Sequence, residues 1–122
     1  IGQIDFRSMN DAATPEEILY GYITALSTDV TDSTEDGELQ FYTMKSGILV
    51  NALTLQSGNT GIGTADPTEA LDVNSDAIRI RSSQTPASAS AAGTAGMICW
   101  DSDYIYVCVD TNTWKRVAIS TW

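Results

Sequence analysis

Histidine does not occur in this sequence, and cationic side chains are scarce. Six Lys and Arg stand against 16 Asp and Glu, for a formal net charge of −10 over 122 residues. With no histidine there is no Ser–His or Cys–His nucleophile pair, and the commonest general base and metal ligand is missing. With so few cations there is no basic face to neutralise a phosphate backbone, which argues against nucleic acid as a partner and against an anionic membrane surface. No apolar run approaches the ~20 residues of a membrane-spanning helix, and no secretory signal opens the chain. The two cysteines, Cys99 and Cys108, are too few for a zinc site without histidine. No metal, cofactor or membrane insertion is expected.

Large apolar residues are also thinly spread. Alanine supplies much of the 43% hydrophobic content, and the bigger side chains fall in short runs between Gly, Ser, Thr and Asn. The length fits one domain, and a globule of this size should bury about two-thirds of its unfolded surface. These segments are too short and too evenly wetted for that. Either the sheet is thin, or other chains supply part of the core. The acidity itself reads as a solubility device. The chain opens at Ile1 without Met, on a stretch that reads as a strand through Ile4 and Phe6, and so reads as a segment of something longer.

What is present is strand and turn. One phrase occurs three times: Gly2, Ile4, Phe6; Gly37, Leu39, Phe41; Gly96, Ile98, Trp100. Glycine lets the chain turn, and an aliphatic and an aromatic residue two apart then share one strand face. Gly47–Val50 and Leu53–Leu55 give further short strands. Thr34–Gly37, Lys45–Gly47 and Ser57–Asn59 supply the turn chemistry between them. Residues 15–26 carry a helix-like start at Thr14, Pro15 and Glu17, but Gly21 and Thr24 weaken a helix and the stretch reads better as a strand. Ser83 to Ala95, "SQTPASASAAGTA", holds no side chain able to build a core. It reads equally as a flexible linker and as an extended strap on a neighbouring surface. The class is all-β, divided as 1–82, 83–95 and 96–122.

Three stretches resemble bacteriophage tail fibres. "GNTGIGTADPTEALDV" (58–73) is similar to their G-x-x-GIGT-x-x-P-x-x-x-L-x-V phrase. "DVTDSTEDGELQFYTMKSGIL" (29–49) looks like the D-x-T-D-x-x-E-D-G unit that often precedes it. "GMICWDSDYIYVCVDTNTWKRVAISTW" (96–122) is similar to a C-terminal segment of phage and large-virus fibre proteins. The resemblance implies a homotrimeric, intertwined fibrous β-structure in the virion. Residues 1–82 would form a β-prism-like shaft and 96–122 a small antiparallel β-meander tip. Such a protein assembles in the host cytoplasm and acts extracellularly. Gly61, Gly63 and Pro67 fit a tight kink that passes a strand from one prism face to the next. Short strands leave exposed edges, and winding three chains about one axis would pair them.

In the last segment, Trp100–Tyr104 reads as a hairpin tip and Asp110–Thr113 as a second turn, leading to a strand from Trp114 to Ile119. Strand alternation then puts Ile98, Trp100, Ile105, Val107 and Val109 on one face. It puts Met97, Cys99, Tyr104, Tyr106 and Cys108 on the other. The first face is more apolar and is expected to be the core. The cysteines share a face but lie diagonal to each other, and are expected as two buried thiols, since phage proteins fold in a reducing cytoplasm. Most rings should be core or subunit interface; some should meet a host receptor, best a glycan, whose sugar faces stack on rigid aromatics. The candidates are Tyr104, Trp114 and Trp122, beside Asp101, Asp103 and Asn112 as hydrogen-bonding partners for sugar hydroxyls.

Other chemistry is weaker. Asp29, Asp32, Glu35, Asp36 and Glu38 crowd one loop without EF-hand spacing. That loop reads as a solvated turn, with a loose calcium site shared between subunits as the alternative. Glu16 with Glu17, or Asp101 with Asp103, could be taken for a glycosidase pair, but paired carboxylates are common in an acidic chain. Lys115 and Arg116 are a lone basic pair expected to bridge to the acidic hairpin. The leading expectation is a receptor-binding end of a tail fibre that adheres without catalysis. The alternatives are a depolymerase fragment that hydrolyses surface polysaccharide at a subunit groove, and a shaft segment with no receptor contact.

Overall fold

Alternation of apolar and polar side chains from Gly2 onward produces strands in nearly every segment that sequence patterning marks. The computed structural model describes residues 2–122; Ile1, at which the opening strand was expected to start, lies outside the described residues. Nine strands and no helix are found among the described residues. They form two compact units that divide between Ala77 and Ile78.

The first unit is one sheet of six strands in sequence order: β1 (Gly2–Met9), β2 (Glu17–Asp29), β3 (Asp36–Lys45), β4 (Ile48–Gln56), β5 (Asn59–Ile62) and β6 (Leu71–Val73). Of the ambiguous segment 15–26, residues 17–26 lie in strand β2, as Gly21 and Thr24 favour, and residues 15–16 precede it. The β3–β4 and β4–β5 turns are two-residue loops, Ser46–Gly47 and Ser57–Gly58, with φ of +50° and +82° in both cases. Two consecutive positive φ values match the strand twist, which is why a Ser-Gly pair serves twice. The acidic loop after β2 is closed by Asp29, whose carboxylate accepts the Thr31 amide at 2.8 Å and the Thr34 hydroxyl at 3.4 Å. Those bonds, the Thr31 amide first, hold its carboxyl below the usual carboxylate range.

Register sorts the side chains of this sheet into two contrasting faces. Ile4, Ile23, Phe41, Leu53, Ile62 and Val73 are successive cross-strand partners, one from each strand. The adjacent row through the opposite face is Gln3, Thr24, Gln40, Thr54, Gly61 and Asp72. Cross-strand partners lie on one face, so one side of the sheet is an apolar band and the other is polar. Yet the buried side chains are Gln40, Thr54 and Pro67, and no large aliphatic or aromatic side chain of this unit is buried among the described residues. Ile4 stays 61% exposed. A single-layer sheet has nothing to lay over its apolar band.

β5 and β6 pair in parallel, joined by residues 63–70. Gly63 takes φ +71°, and Asn74 locks the kink by donating its backbone amide to the Ile62 carbonyl and its side-chain amide to the Gly63 carbonyl, each at 3.0 Å. Gly61 is required by crowding: a Cβ there would come within 2.7 Å of the Thr64 carbonyl oxygen and 3.3 Å of Pro67. The returning loop thus folds over the polar face at Gly61.

The second unit contains a three-stranded antiparallel meander of β7 (Ile98–Trp100), β8 (Tyr104–Asp110) and β9 (Thr113–Ala118). Ile98 pairs Val107 and Trp100 pairs Ile105, so the expected division into faces holds. The choice of core face does not. The buried cluster is Cys99, Tyr106, Cys108 and Trp114, while Ile98, Trp100, Ile105, Val107 and Val109 are exposed. The reason is residues 83–95, which lie as a strap across the Cys-Tyr-Trp face. The Trp114 amide donates to the Ala89 carbonyl at 2.8 Å, the Asn112 amide to the Gly93 carbonyl at 2.9 Å and the Gln84 amide to the Trp100 carbonyl at 2.8 Å. The Trp114 indole N–H donates to the Ala91 carbonyl at 3.1 Å. Side-chain apolarity alone could not reveal which face a loop would cover. Both cysteines are buried and unbonded; they pair across the ladder with Tyr106 and Trp114, and not with each other.

Candidate functional site

The β7–β8 turn is organised by one carboxylate. Asp101 Oδ1 accepts the amides of Asp103 and Tyr104, each at 2.9 Å, and Oδ2 accepts the Thr85 hydroxyl at 2.7 Å and the Tyr106 hydroxyl at 2.6 Å. These four bonds, the Tyr106 hydroxyl first and Thr85 next, hold the Asp101 carboxyl well below the usual carboxylate range. The same contact pushes the Tyr106 hydroxyl up, so that it stays protonated. Asp101 is therefore a fixed acceptor tying strap to hairpin, and not a group that gives up a proton at neutral pH.

The six sequence candidates do not converge. Trp114 is buried, and its ring lies so close to Gly93 that a Cβ there would sit 2.6 Å from it. Its face is taken up inside the unit, which removes it as a stacking surface for a sugar. Tyr104 is half-buried; the Arg116 guanidinium lies over its ring at 4.0 Å, and its ring tilts against Tyr106. This cation–π contact replaces the ion pair expected between the basic pair and the acidic hairpin. Asp103 is exposed, and its carbonyl accepts the Ile119 amide at 2.9 Å. Trp122 is fully exposed. Asn112, at φ +52°, occupies the β8–β9 turn, where its Oδ1 accepts the Gly93 amide at 3.0 Å. Strand β8 separates that turn from the Asp101–Tyr104 turn by about 20 Å, so Asn112 and Asp103 serve opposite ends of the meander.

The other candidate pair, Glu16 with Glu17, sits at the start of β2. Glu17 lies 3.6 Å from Arg7 across the β1–β2 pair, and the Glu16 amide donates to Asn10 Oδ1 at 2.9 Å to shape the preceding turn. No group of three or more acidic or cysteine side chains that could hold a metal ion forms among the described residues.

Four surface cavities among the described residues are free of carboxylates in their walls. One, of about 360 Å³, lies between strap residues 86–89 and Tyr106, Trp114, Lys115 and Arg116. Sequence reasoning missed it, because the strap's position over β9 is a tertiary fact. The available signal was the basic pair directly after Trp114 in a chain otherwise rich in acid.

No protein-family model matches the chain. The chain is similar to phage proteins over part of its length. It is 41% identical over 58 residues to "Depolymerase, capsule K30/K69-specific" of Klebsiella phage K64-1. It is 48% identical over 58 residues to "Depolymerase 1, capsule K30/K69-specific" of Klebsiella phage K5-2. Each match covers 48% of this chain and 7% of the relative, so the chain corresponds to a small part of those proteins. The expectation of a non-enzymatic protein is corrected here: both relatives are named for the enzymatic breakdown of a capsule.

Proposed function

We propose that this chain is part of a phage tail protein that depolymerises bacterial capsule, with the polysaccharide held and cut at grooves between copies. The observation that carries this reading is the 41–48% identity over 58 residues to two capsule depolymerases. The structure supports the placing of the groove. Hydrolysis of a glycosidic bond takes two carboxylates flanking it. No carboxylate lines the four cavities described above, and Asp101 is committed to four donors. A groove where copies meet brings carboxylates of different chains together. Three copies packing through the uncovered band of Ile4, Ile23, Phe41, Leu53, Ile62 and Val73 form such grooves. Trp122 and Asp103, both exposed, are the groups of the second unit best placed to meet glycan, with half-buried Tyr104 next to Asp103 in the chain. Unbonded Cys99 and Cys108 accord with assembly in a reducing host cytoplasm before the virion acts outside the cell.

The test is to incubate the protein with purified capsular polysaccharides from a panel of Klebsiella capsule types that includes K30 and K69, following molar mass by light scattering. A fall in molar mass with new chain ends in at least one type is the expected result. Unchanged molar mass across the whole panel sinks the reading.

A further inference from the structure

We propose that the cleft between strap residues 86–89 and β9 binds a carboxylate-bearing sugar, a uronic acid unit of an acidic polysaccharide. The inference rests on the polysaccharide reading above and adds the charge of the sugar that is recognised. Its volume of about 360 Å³ lies at the lower end of the range of ligand pockets, which suits one or two sugar units and excludes a folded partner.

The lining chemistry points to an anion. This chain carries 16 carboxylate side chains and 6 cationic ones, yet Arg116, on the strap-covered face with its cross-strand partner Tyr106, lines the cleft and no carboxylate does. Arg116 is held in place: its guanidinium lies over the Tyr104 ring at 4.0 Å. Among the described residues the ion pairs within 4.0 Å are those of Arg7 with Asp5 and Glu17, so the Arg116 charge is not neutralised by a carboxylate. A planar guanidinium fixed by stacking suits bidentate recognition of a carboxylate. The rest of the wall suits a sugar ring. Pro86 and Ala87 give an apolar surface for the C–H face, and Ser88 brings a hydroxyl. The cleft is on the strap-covered side of the meander. Association through the bare face of Ile98, Ile105, Val107 and Val117 leaves it open.

The experiment compares methyl glucuronide, methyl glucoside and sodium acetate as probes of the whole chain by ligand-observed NMR titration. The glucuronide is expected to bind at least about 10-fold more tightly than the glucoside or acetate, and Arg116→Gln to bring it down to the glucoside level. Ala87→Leu, which fills the cleft from the exposed strap and leaves the buried cluster untouched, is expected to abolish binding. It keeps the test decisive should Arg116→Gln disturb Tyr104. Equal affinity for glucuronide and glucoside, equal affinity for glucuronide and acetate, or unchanged glucuronide binding in Ala87→Leu overturns the proposal. Capsule cleavage without glucuronide preference removes this inference and leaves the depolymerase reading standing; glucuronide preference without cleavage of any capsule does the reverse.

Discussion

Gly93 shows how much of this molecule depends on single atoms. The strap can lie on Trp114 because Gly93 has no side chain; an added Cβ would sit 2.6 to 2.8 Å from three atoms of the indole. That indole is pinned by its own bond to the Ala91 carbonyl, so it cannot swing away cheaply. Gly93→Ala should therefore destabilise the second unit by about 1–3 kcal/mol, the usual cost of overpacking. The cost would be read as a lower urea midpoint with a red-shifted tryptophan emission as Trp114 is wetted. Gly2→Ala is the control: a Cβ there meets nothing within 4 Å, and the midpoint should stay within about 0.5 kcal/mol. An unchanged midpoint in Gly93→Ala would mean that the strap does not rest on the ring. In the sequence, residues 83–95 are low-complexity small residues, and smallness is equally the mark of a loose linker and of a tight contact. Only the partner distinguishes the two, and Trp114 arrives two strands later.

Between elements, Asp101 links three pieces that the sequence presents separately: the strap through Thr85, the hairpin turn through the Asp103 and Tyr104 amides, and β8 through the Tyr106 hydroxyl. Its carboxyl is depressed in the folded state, the Tyr106 hydroxyl being the largest cause. The folded form therefore binds its proton less readily than the unfolded chain does. The stability it contributes is complete above the unfolded carboxylate value of about 4 and is lost as pH falls below that, towards the lower folded value. The melting temperature of the second unit should accordingly drop between pH 5 and pH 2 in the wild type, and Asp101→Asn should melt lower at pH 7 with a flatter acid limb. Parallel acid limbs in the two proteins would show that Asp101 does not link these elements. The hairpin register and the two-face division were legible from Trp100–Asp101–Ser102–Asp103–Tyr104 and strict alternation. The covered face was not. Ile98, Ile105 and Val107 outrank Cys99, Tyr106 and Cys108 in apolarity, but hydrogen bonds from the strap backbone decide which face is dry, and alternation carries no information about a segment outside the sheet.

At the scale of the molecule, the sheet of the first unit poses a physical problem. It displays a row of six apolar side chains, Ile4, Ile23, Phe41, Leu53, Ile62 and Val73, and buries none of them. A lone layer with one apolar face in water leaves most of the hydrophobic free energy of folding unrealised. Covering the row recovers about 1.5–3 kcal/mol for each side chain taken fully from exposed to buried. Under the proposed assembly the cover is the same row of other copies. Leu53 lies mid-row, so Leu53→Lys places a charge where each copy would meet the next, while Gln3→Lys puts the same charge on the polar face of the same sheet. Size-exclusion chromatography with light scattering should find the wild type and Gln3→Lys at a multiple of the 13.1 kDa chain mass. Leu53→Lys should weaken association at least about 100-fold, a loss of about 3 kcal/mol, and elute at the mass of one chain at micromolar concentration. A wild-type chain that stays at one chain mass, with a cooperative melt independent of concentration, would mean that the band is stable in water and that the grooves invoked for capsule cleavage do not form.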